Sequence, residues 1–143
     1  MLFRSHRASE MSRRLESIPG VGVIVATAIA ATVTDPSAFK SGRDLAAWIG
    51  LVPRQNSTGG KQRLGGISKQ GDRYLRRMLV NGATAVVRQA RSHPEKHPWI
   101  MSLLAKKPAK KVAVAVANKM ARIAWAIMVK GGTYRMPVLS VAA

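Results

Sequence analysis

The amino-acid sequence predicts a mostly α-helical domain: two short helices around a glycine turn, a polar loop or small β-hairpin, and two longer packed helices. The 143 residues are 47% apolar, which suffices for one core without disulfides or a structural metal. Apolar side chains recur at helical spacing in the second half of the chain. Glycine and proline interrupt this pattern at residues 18–22 and 50–66. We expect one domain over residues 11–132, with a lead-in at 1–10 and a tail at 133–143.

The first element with a candidate function is a glycine turn between two helices. Residues 8–17 have a helical pattern, Ile18-Pro19-Gly20-Val21-Gly22 forms the turn, and 23–32 is an apolar helix. Glycine lets the backbone approach a phosphate closely, and the N–H groups that begin a helix favour an anion. Residues 11–32 resemble the helix-hairpin-helix motif of DNA repair and recombination proteins, so Gly20 and Gly22 are candidate contacts to a nucleic-acid backbone. The alternative is a plain connection in which a glycine caps the first helix.

A short helix and a polar segment follow the turn. Ser41 is a candidate N-cap for a helix that continues through Ile49 and ends at Gly50. Residues 51–68 form a polar loop or a small hairpin, in which Leu51-Val52 and Arg63-Leu64 could pair briefly. The side chains expected to be buried on the short helix are Leu45, Ala46, Trp48 and Ile49.

The helix predicted over residues 70–91 has the clearest periodicity in the sequence and a strongly basic opposite side. Arginine matches phosphate geometry better than lysine, so we interpret the basic side as a nucleic-acid contact; a solvated face is the alternative. Its apolar face comprises Leu75, Met78, Leu79, Gly82, Ala83, Val86 and Ala90. The basic face comprises Arg73, Arg77, Thr84, Arg88 and Arg91, with Arg76 at its flank and Arg54, Lys61, Arg63 and Lys69 ahead of it.

A last helix is predicted over residues 110–130, after a short segment around 99–105. It is apolar around most of its circumference and should be largely covered by other elements. Gly131 and Gly132 end it. Its polar stripe consists of Lys111, Asn118, Lys119 and Arg122.

The excess of basic residues indicates a polyanionic partner. The chain has 24 Lys and Arg against 6 Asp and Glu, a formal charge of +18. Nucleic acid is favoured because each neutralised phosphate releases counterions, and an anionic membrane surface is the weaker alternative. The N-terminus lacks the apolar core of a signal peptide, and Asn118, Lys119 and Arg122 interrupt the longest apolar stretch. We expect a cytoplasmic protein that does not enter the membrane.

Few side chains are suited to holding a metal. The chain has no cysteine and three histidines. His93 and His97 are four residues apart, but Pro94 and Pro98 disfavour a regular helix face between them. We expect no metal site and no cofactor in this chain.

The loop at residues 56–61, Asn-Ser-Thr-Gly-Gly-Lys, places hydroxyl groups among glycines and cations. A serine can attack a phosphodiester when its alkoxide and the developing charge are stabilised. The segment is also an ordinary loop composition, and no carboxylate or imidazole stands beside it as a base. Its glycine spacing is not that of a phosphate-binding P-loop. By itself this loop is weak evidence for catalysis.

Three sequence blocks together resemble a known family over roughly residues 10–105. They look like the C-terminal transposase domain of the DEDD insertion-sequence transposases, the group of insertion sequences one-ten, one-sixteen and nine-oh-two. The blocks are Ile18-Pro19-Gly20-Val21-Gly22, Ala47-Trp48-Ile49-Gly50-Leu51-Val52-Pro53-Arg54-Gln55-Asn56-Ser57-Thr58-Gly59-Gly60-Lys61 and Leu64-Gly65-Gly66-Ile67-Ser68-Lys69-Gln70-Gly71-Asp72-Arg73-Tyr74-Leu75-Arg76-Arg77-Met78-Leu79.

The resemblance implies an enzyme of two parts. One is an N-terminal nuclease domain whose four acids bind a divalent metal such as Mg²⁺; the other resembles this chain and presents a serine nucleophile, here Ser57 with Thr58 as the alternative. It also implies DNA as substrate, a structured guide RNA and a homo-oligomer of the full-length protein. The six acids of this chain are scattered, so we expect strand transfer only when the chain is joined to a four-acid domain. The alternative is a non-catalytic nucleic-acid-binding remnant of a truncated transposase.

Overall fold

A computed structural model describes residues 5–58, 61–67 and 72–135, and it confirms the mostly α-helical class. The polar segment forms a hairpin, one of the two predicted alternatives. Short 3-10 turns lie at Pro36–Ala38 and Pro94–Lys96. The elements in chain order are α1 Ser5–Glu16, α2 Val23–Thr32, α3 Gly42–Ile49, β1 Pro53–Thr58, β2 Lys61–Ile67, α4 Arg73–Ser92, α5 Pro98–Leu104 and α6 Ala109–Lys130.

The core forms around the two longest helices, α4 and α6, which pack along each other. Helices α3 and α5 pack on α6, and the α1–α2 pair contacts both long helices. Leu75, Leu79 and Val112 are completely buried at the centre. Each such side chain stabilises the fold by about 1.5–3 kcal/mol, because its apolar surface is removed from water. The core thus fixes the orientation of α4.

Helix α6 is long and apolar enough to cross a membrane by length and composition alone. In the fold it instead packs against α3, α4 and α5, which bury one side of it. Its buried residues are Val112, Ala113, Val116, Ala117, Met120, Ala121, Ala124, Ile127 and Met128. Its composition is therefore explained by a position in the protein core.

Helix α4 begins three residues later than its periodicity predicts. Asp72 is the N-cap, and its Oδ1 accepts a hydrogen bond from the Leu75 backbone N–H at 2.9 Å. Gln70, the predicted start, lies outside the described residues. The apolar face is buried as expected at its centre, and it is wider than predicted because Val87 is buried as well.

Helix α3 has the predicted caps, but one of its predicted core residues is wrong. Ser41 Oγ accepts from the Asp44 N–H at 3.3 Å, and Gly50 ends the helix at φ +89°. Trp48 is 42% exposed, because at 100° per residue it projects about 100° away from the centre of the buried face. Its ring lies against Phe39 instead, with the centroids 5.6 Å apart.

The hairpin has a different register from the predicted one. Strand β1 runs antiparallel to β2 and pairs Asn56 with Arg63 and Ser57 with Gln62. The predicted pairing of Leu51 and Val52 with Arg63 and Leu64 is wrong. Leu51 precedes the strand and is 1% exposed, so it belongs to the core and not to the hairpin.

Candidate nucleic-acid interface

The outer side of α4 carries a row of arginines, which we call the arginine stripe: Arg73, Arg77, Arg88 and Arg91. All four are exposed. At 100° per residue they occupy roughly 60° of the helix circumference, and at 1.5 Å per residue they extend over about 27 Å. Helix α4 contains no acidic residue. The packing of its opposite side against α6 directs the stripe outward.

The charges of the stripe are available for an external partner. Within the described part of the chain, no carboxylate lies within 4.0 Å of any of the four guanidinium groups. Among the described residues Arg14 pairs with Glu10 at 2.9 Å, and the carboxylate of Glu95 lies 4.0 Å from His93 Nδ1. Thr84, which lies within the stripe, donates its hydroxyl to the Val80 carbonyl of its own helix. The stripe therefore has no internal counter-charge.

Arg76 differs from the four arginines of the stripe. It is half-buried at the flank of α4, and its Nη1 donates to the Ile49 carbonyl oxygen at 3.3 Å. That carbonyl ends α3, where the helix dipole favours a positive charge. The structure thus gives Arg76 a part in joining α3 to α4.

Gly20 and Gly22 occupy very different surroundings in the turn between α1 and α2. Gly20 has φ +87° and is pressed against α4: a Cβ there would lie 2.7 Å from Val86 Cγ2 and 2.8 Å from the Gly82 carbonyl oxygen. Gly22 has no atom within 4 Å of a Cβ position and is exposed. Gly20 therefore serves the packing of the turn, whereas the open backbone is at Gly22.

Gly22 is also the N-cap of α2, with no side chain capping the helix. Ala26 makes the first intrahelical bond, to the Gly22 carbonyl at 2.9 Å, so the preceding N–H groups of α2 have no helical acceptor. Val23 and Ile24 beside them are 65% and 67% exposed. The helix start therefore combines free amide donors with an exposed apolar edge.

The turn and the arginine stripe do not form one continuous surface. Gly82, which contacts Gly20, lies roughly 150° around α4 from the centre of the stripe. The two predicted contacts therefore project in different directions from the same helix.

The hairpin carries the predicted nucleophile and several predicted basic contacts. Ser57 and Thr58 are the last residues of β1, and Thr58 pairs with Lys61 at the start of β2. Arg63 pairs with Asn56, and Arg54 lies at the register shift between Pro53 and Gln55. Lys69 lies outside the described residues.

Two exposed aromatic side chains were missed by the sequence analysis. Tyr74 is 54% exposed next to the first arginine of the stripe, and Trp99 is exposed on α5. Lys119 Nζ lies 4.2 Å from the centroid of the Trp99 ring. The signal for Tyr74 is an aromatic residue inside a basic helix, whereas Trp99 and Lys119 are twenty residues apart and no local pattern joins them.

Comparisons with known proteins agree with the resemblance found in the sequence blocks. The family model described as Transposase IS116/IS110/IS902 family matches residues 12–97, more than half of the chain. The y4pF/y4sB protein of Sinorhizobium fredii, which carries a transposase name, is 53% identical over 136 residues, covering 94% of this chain. The transposase for insertion sequence element IS1111A of Coxiella burnetii is 42% identical over 130 residues, covering 90% of this chain. The pilin gene-inverting protein of Moraxella bovis is 28% identical over 126 residues, covering 87%.

The chain spans 35%, 36% and 37% of the length of these three relatives, respectively. The family is nevertheless established, because the family model matches more than half of the chain. The protein belongs to the Transposase IS116/IS110/IS902 family.

Proposed function

We propose that this chain binds DNA through the arginine stripe and acts in DNA transposition as the DNA-binding part of a transposase. The observation that carries the proposal is the stripe itself: four exposed arginines on one side of a rigidly packed helix that has no acid. Guanidinium groups bind phosphate with two parallel hydrogen bonds, and each neutralised phosphate releases counterions. The stripe is therefore suited to hold the DNA backbone without reading its sequence.

The glycine turn is the second proposed contact. Helix α2 begins with free N–H groups next to the open backbone of Gly22, a combination that favours a phosphate. This supports a helix-hairpin-helix role for residues 11–32. Gly20 packs the turn against α4 through its backbone contact with Gly82.

We assign the nucleophile of strand transfer to Ser57, with Thr58 as the alternative. In this step the serine oxygen forms a bond to a DNA phosphorus, and the bond from that phosphorus to the leaving strand breaks. The serine proton passes to a base, and the leaving oxygen takes up a proton. One phosphodiester replaces another, so the step needs no external energy source.

The base and the divalent metal are expected from a partner domain with four acids. No three His, Asp or Glu side chains gather as a metal site within the described residues. Mg²⁺ would stabilise the developing charge on the phosphoryl oxygens. The proposed contributions of this chain are the serine, the DNA grip and the orientation of one relative to the other; a guide RNA and a homo-oligomer belong to the proposed full-length assembly.

The binding proposal is tested by the salt dependence of duplex affinity, measured by fluorescence anisotropy. The variant Arg73→Gln/Arg77→Gln/Arg88→Gln/Arg91→Gln should have a logarithmic salt slope shallower by about 3 to 4, since each lost phosphate contact removes about 0.9. The matched control neutralises four other exposed cations, Lys106, Lys107, Lys110 and Lys111, and changes the net charge equally. Equal loss in both variants, or salt-independent binding by the wild type, would contradict the proposal.

The catalytic proposal is tested by trapping a protein–DNA adduct that survives denaturation. The four-acid domain of a relative and Mg²⁺ are supplied with this chain. Ser57→Ala should bind duplex as before and form no adduct, and Thr58→Ala should still form it. An adduct lost only in Thr58→Ala would move the nucleophile to Thr58. No adduct with the wild type would favour a non-catalytic binding module.

A further inference from the structure

A cavity of about 480 Å³ lies beside the glycine turn, and none of the arginines of the stripe lines it. Its apolar walls come from the turn through Ile18 and Pro19, from α4 through Val86, and from α6 through Met120 and Ile123. Its volume is within the range of about 300–1,000 Å³ that is typical of small-ligand sites. The cavity is large enough to bury a flat organic group.

Two aromatic side chains lie at this cavity. Trp99 on α5 is 40% exposed, and Lys119 Nζ stands over one face of its ring. Tyr134 is half-buried, and its backbone N–H donates to Ser17 Oγ at 2.7 Å, which holds it next to the turn. A tryptophan that is this exposed beside an apolar cavity offers a surface on which another ring can stack.

The polar side chains at the cavity favour an anionic ligand. Lys96 and Lys119 are cations, His97 is half-buried, and Glu95 is the one carboxylate among the lining residues. Glu95 Oε1 lies 4.0 Å from His93 Nδ1, so this carboxylate has a basic neighbour. Within a chain of charge +18, a cavity with an apolar interior and two lysines at its edge matches a flat group that carries a phosphate.

We propose that this cavity accepts one unpaired base of a nucleic-acid strand. The base stacks on Trp99, and the phosphate of the same nucleotide lies near Lys96 and Lys119. The cavity shares Ile18 and Pro19 with the turn, which places it beside the proposed backbone contact at the start of α2. An extruded base costs least to bind when it is already unpaired. This inference rests on the proposed nucleic-acid binding and adds to it a preference for distorted or single-stranded sites.

The test compares three duplexes: one fully paired, one with a single extra thymine, and one with an abasic residue at the same place. DNA and RNA versions of each distinguish the two sources of an unpaired base. The wild type should bind the thymine bulge about 10- to 100-fold more tightly than the abasic bulge, as expected for stacking of one base on an aromatic ring. Trp99→Ala should lose this preference. Trp48→Ala, which removes a tryptophan of nearly equal exposure away from the cavity, should keep it.

Two further variants keep the test decisive if Trp99→Ala unfolds, which circular dichroism would reveal. Trp99→Phe retains an aromatic ring and should keep most of the preference, and Lys119→Met should weaken binding of both bulged duplexes equally. A wild type that binds all three duplexes with one affinity would overturn the inference while leaving duplex binding by the stripe intact. So would a preference that survives Trp99→Ala. Failure of the proposed function is seen separately, as unchanged duplex affinity after neutralisation of the stripe.

Discussion

Helices α4 and α6 are similar in length and pack on each other, yet they use their polar residues in opposite ways. On α4 the four arginines of the stripe point outward, and no described carboxylate pairs with them. On α6 two residues of the polar stripe, Asn118 and Lys119, are engaged by the fold, whereas Lys111 and Arg122 are exposed. Asn118 Nδ2 donates to the Leu51 carbonyl at 3.3 Å, and Lys119 lies over the ring of Trp99.

The difference shows that basic composition alone does not locate a binding surface. Both helices carry cations along one side, but Lys119 is held over an aromatic ring at the cavity, whereas the arginines of the stripe are exposed along the outer side of α4. We therefore place the proposed contact to a duplex backbone on the α4 stripe, whose arginines have no carboxylate partner among the described residues. Substitutions on both helices test this contrast.

The largest effect on stability is expected at two glycines in close backbone contacts, Gly82 of α4 and Gly42, which lies against α6. Gly82→Ala would bring a Cβ into the Gly20 carbonyl oxygen, and because the Cβ is fixed to the main chain of α4 and the oxygen belongs to the main chain of the turn, the turn must move. We expect a loss of about 2 kcal/mol in the free energy of unfolding, since overpacking outweighs the better helix propensity of alanine. Gly42→Ala on α3, whose Cβ would lie 2.9 Å from the Arg122 Cα of α6, should cost about 1 kcal/mol.

Urea denaturation of the two glycine variants measures both values. A Gly82→Ala protein as stable as the wild type would show that the turn is free to separate from α4. Equal costs in the two variants would show that the two helices are equally constrained.

A smaller loss of stability is expected when one asparagine is replaced on α6, compared with one on α4. Asn118→Ala leaves the carbonyl of buried Leu51 without its amide donor and should destabilise the protein by about 1–2 kcal/mol. The matched control is Asn81→Ala on α4, because Asn81 is exposed. We expect its effect on stability to stay within about 0.5 kcal/mol. Thermal unfolding followed by circular dichroism measures both stabilities. A larger loss in Asn81→Ala than in Asn118→Ala would contradict the contrast between the helices.

The smallest effect is that of a single charge. Arg77→Gln should weaken duplex binding about 5- to 10-fold near 0.1 M salt, the loss of one phosphate contact, and leave stability unchanged. Arg122→Gln removes an exposed cation of α6 and should weaken duplex binding less than 2-fold, as an estimate for a charge outside the interface. Anisotropy titrations at one salt concentration are sufficient. If Arg122→Gln costs as much as Arg77→Gln, the interface extends over both helices.

Sequence patterns predicted the long helices well because their periodicity extends over five or more turns. In α4 the spacing from Leu75 to Ala90 marked the core side, and the opposite side followed from geometry. The start of the helix was less certain because it depends on one hydrogen bond from Leu75 to Asp72. Caps of this kind are decided by single side chains, which periodicity does not report.

Features that depend on distant parts of the chain could not be predicted locally. Leu51, which precedes the hairpin, is buried in the core. Its carbonyl accepts a hydrogen bond from Asn118, which is 67 residues away. The packing role of Gly20 requires Gly82, and the surroundings of Trp99 require Lys119. Gly20 and Gly22 were both predicted as candidate nucleic-acid contacts, because a glycine in a turn has the same local signature whether it faces solvent or a helix.

The contact between Gly20 and Gly82 has a mechanical consequence. The Gly20 carbonyl oxygen faces the Gly82 backbone directly, so at this point no side chain can change rotamer to absorb a displacement. We therefore expect a displacement of the turn toward α4 to move that helix, and with it the arginine stripe on its far side. Binding at the start of α2 and binding along the stripe would then act on the same packed unit, and each would affect the other.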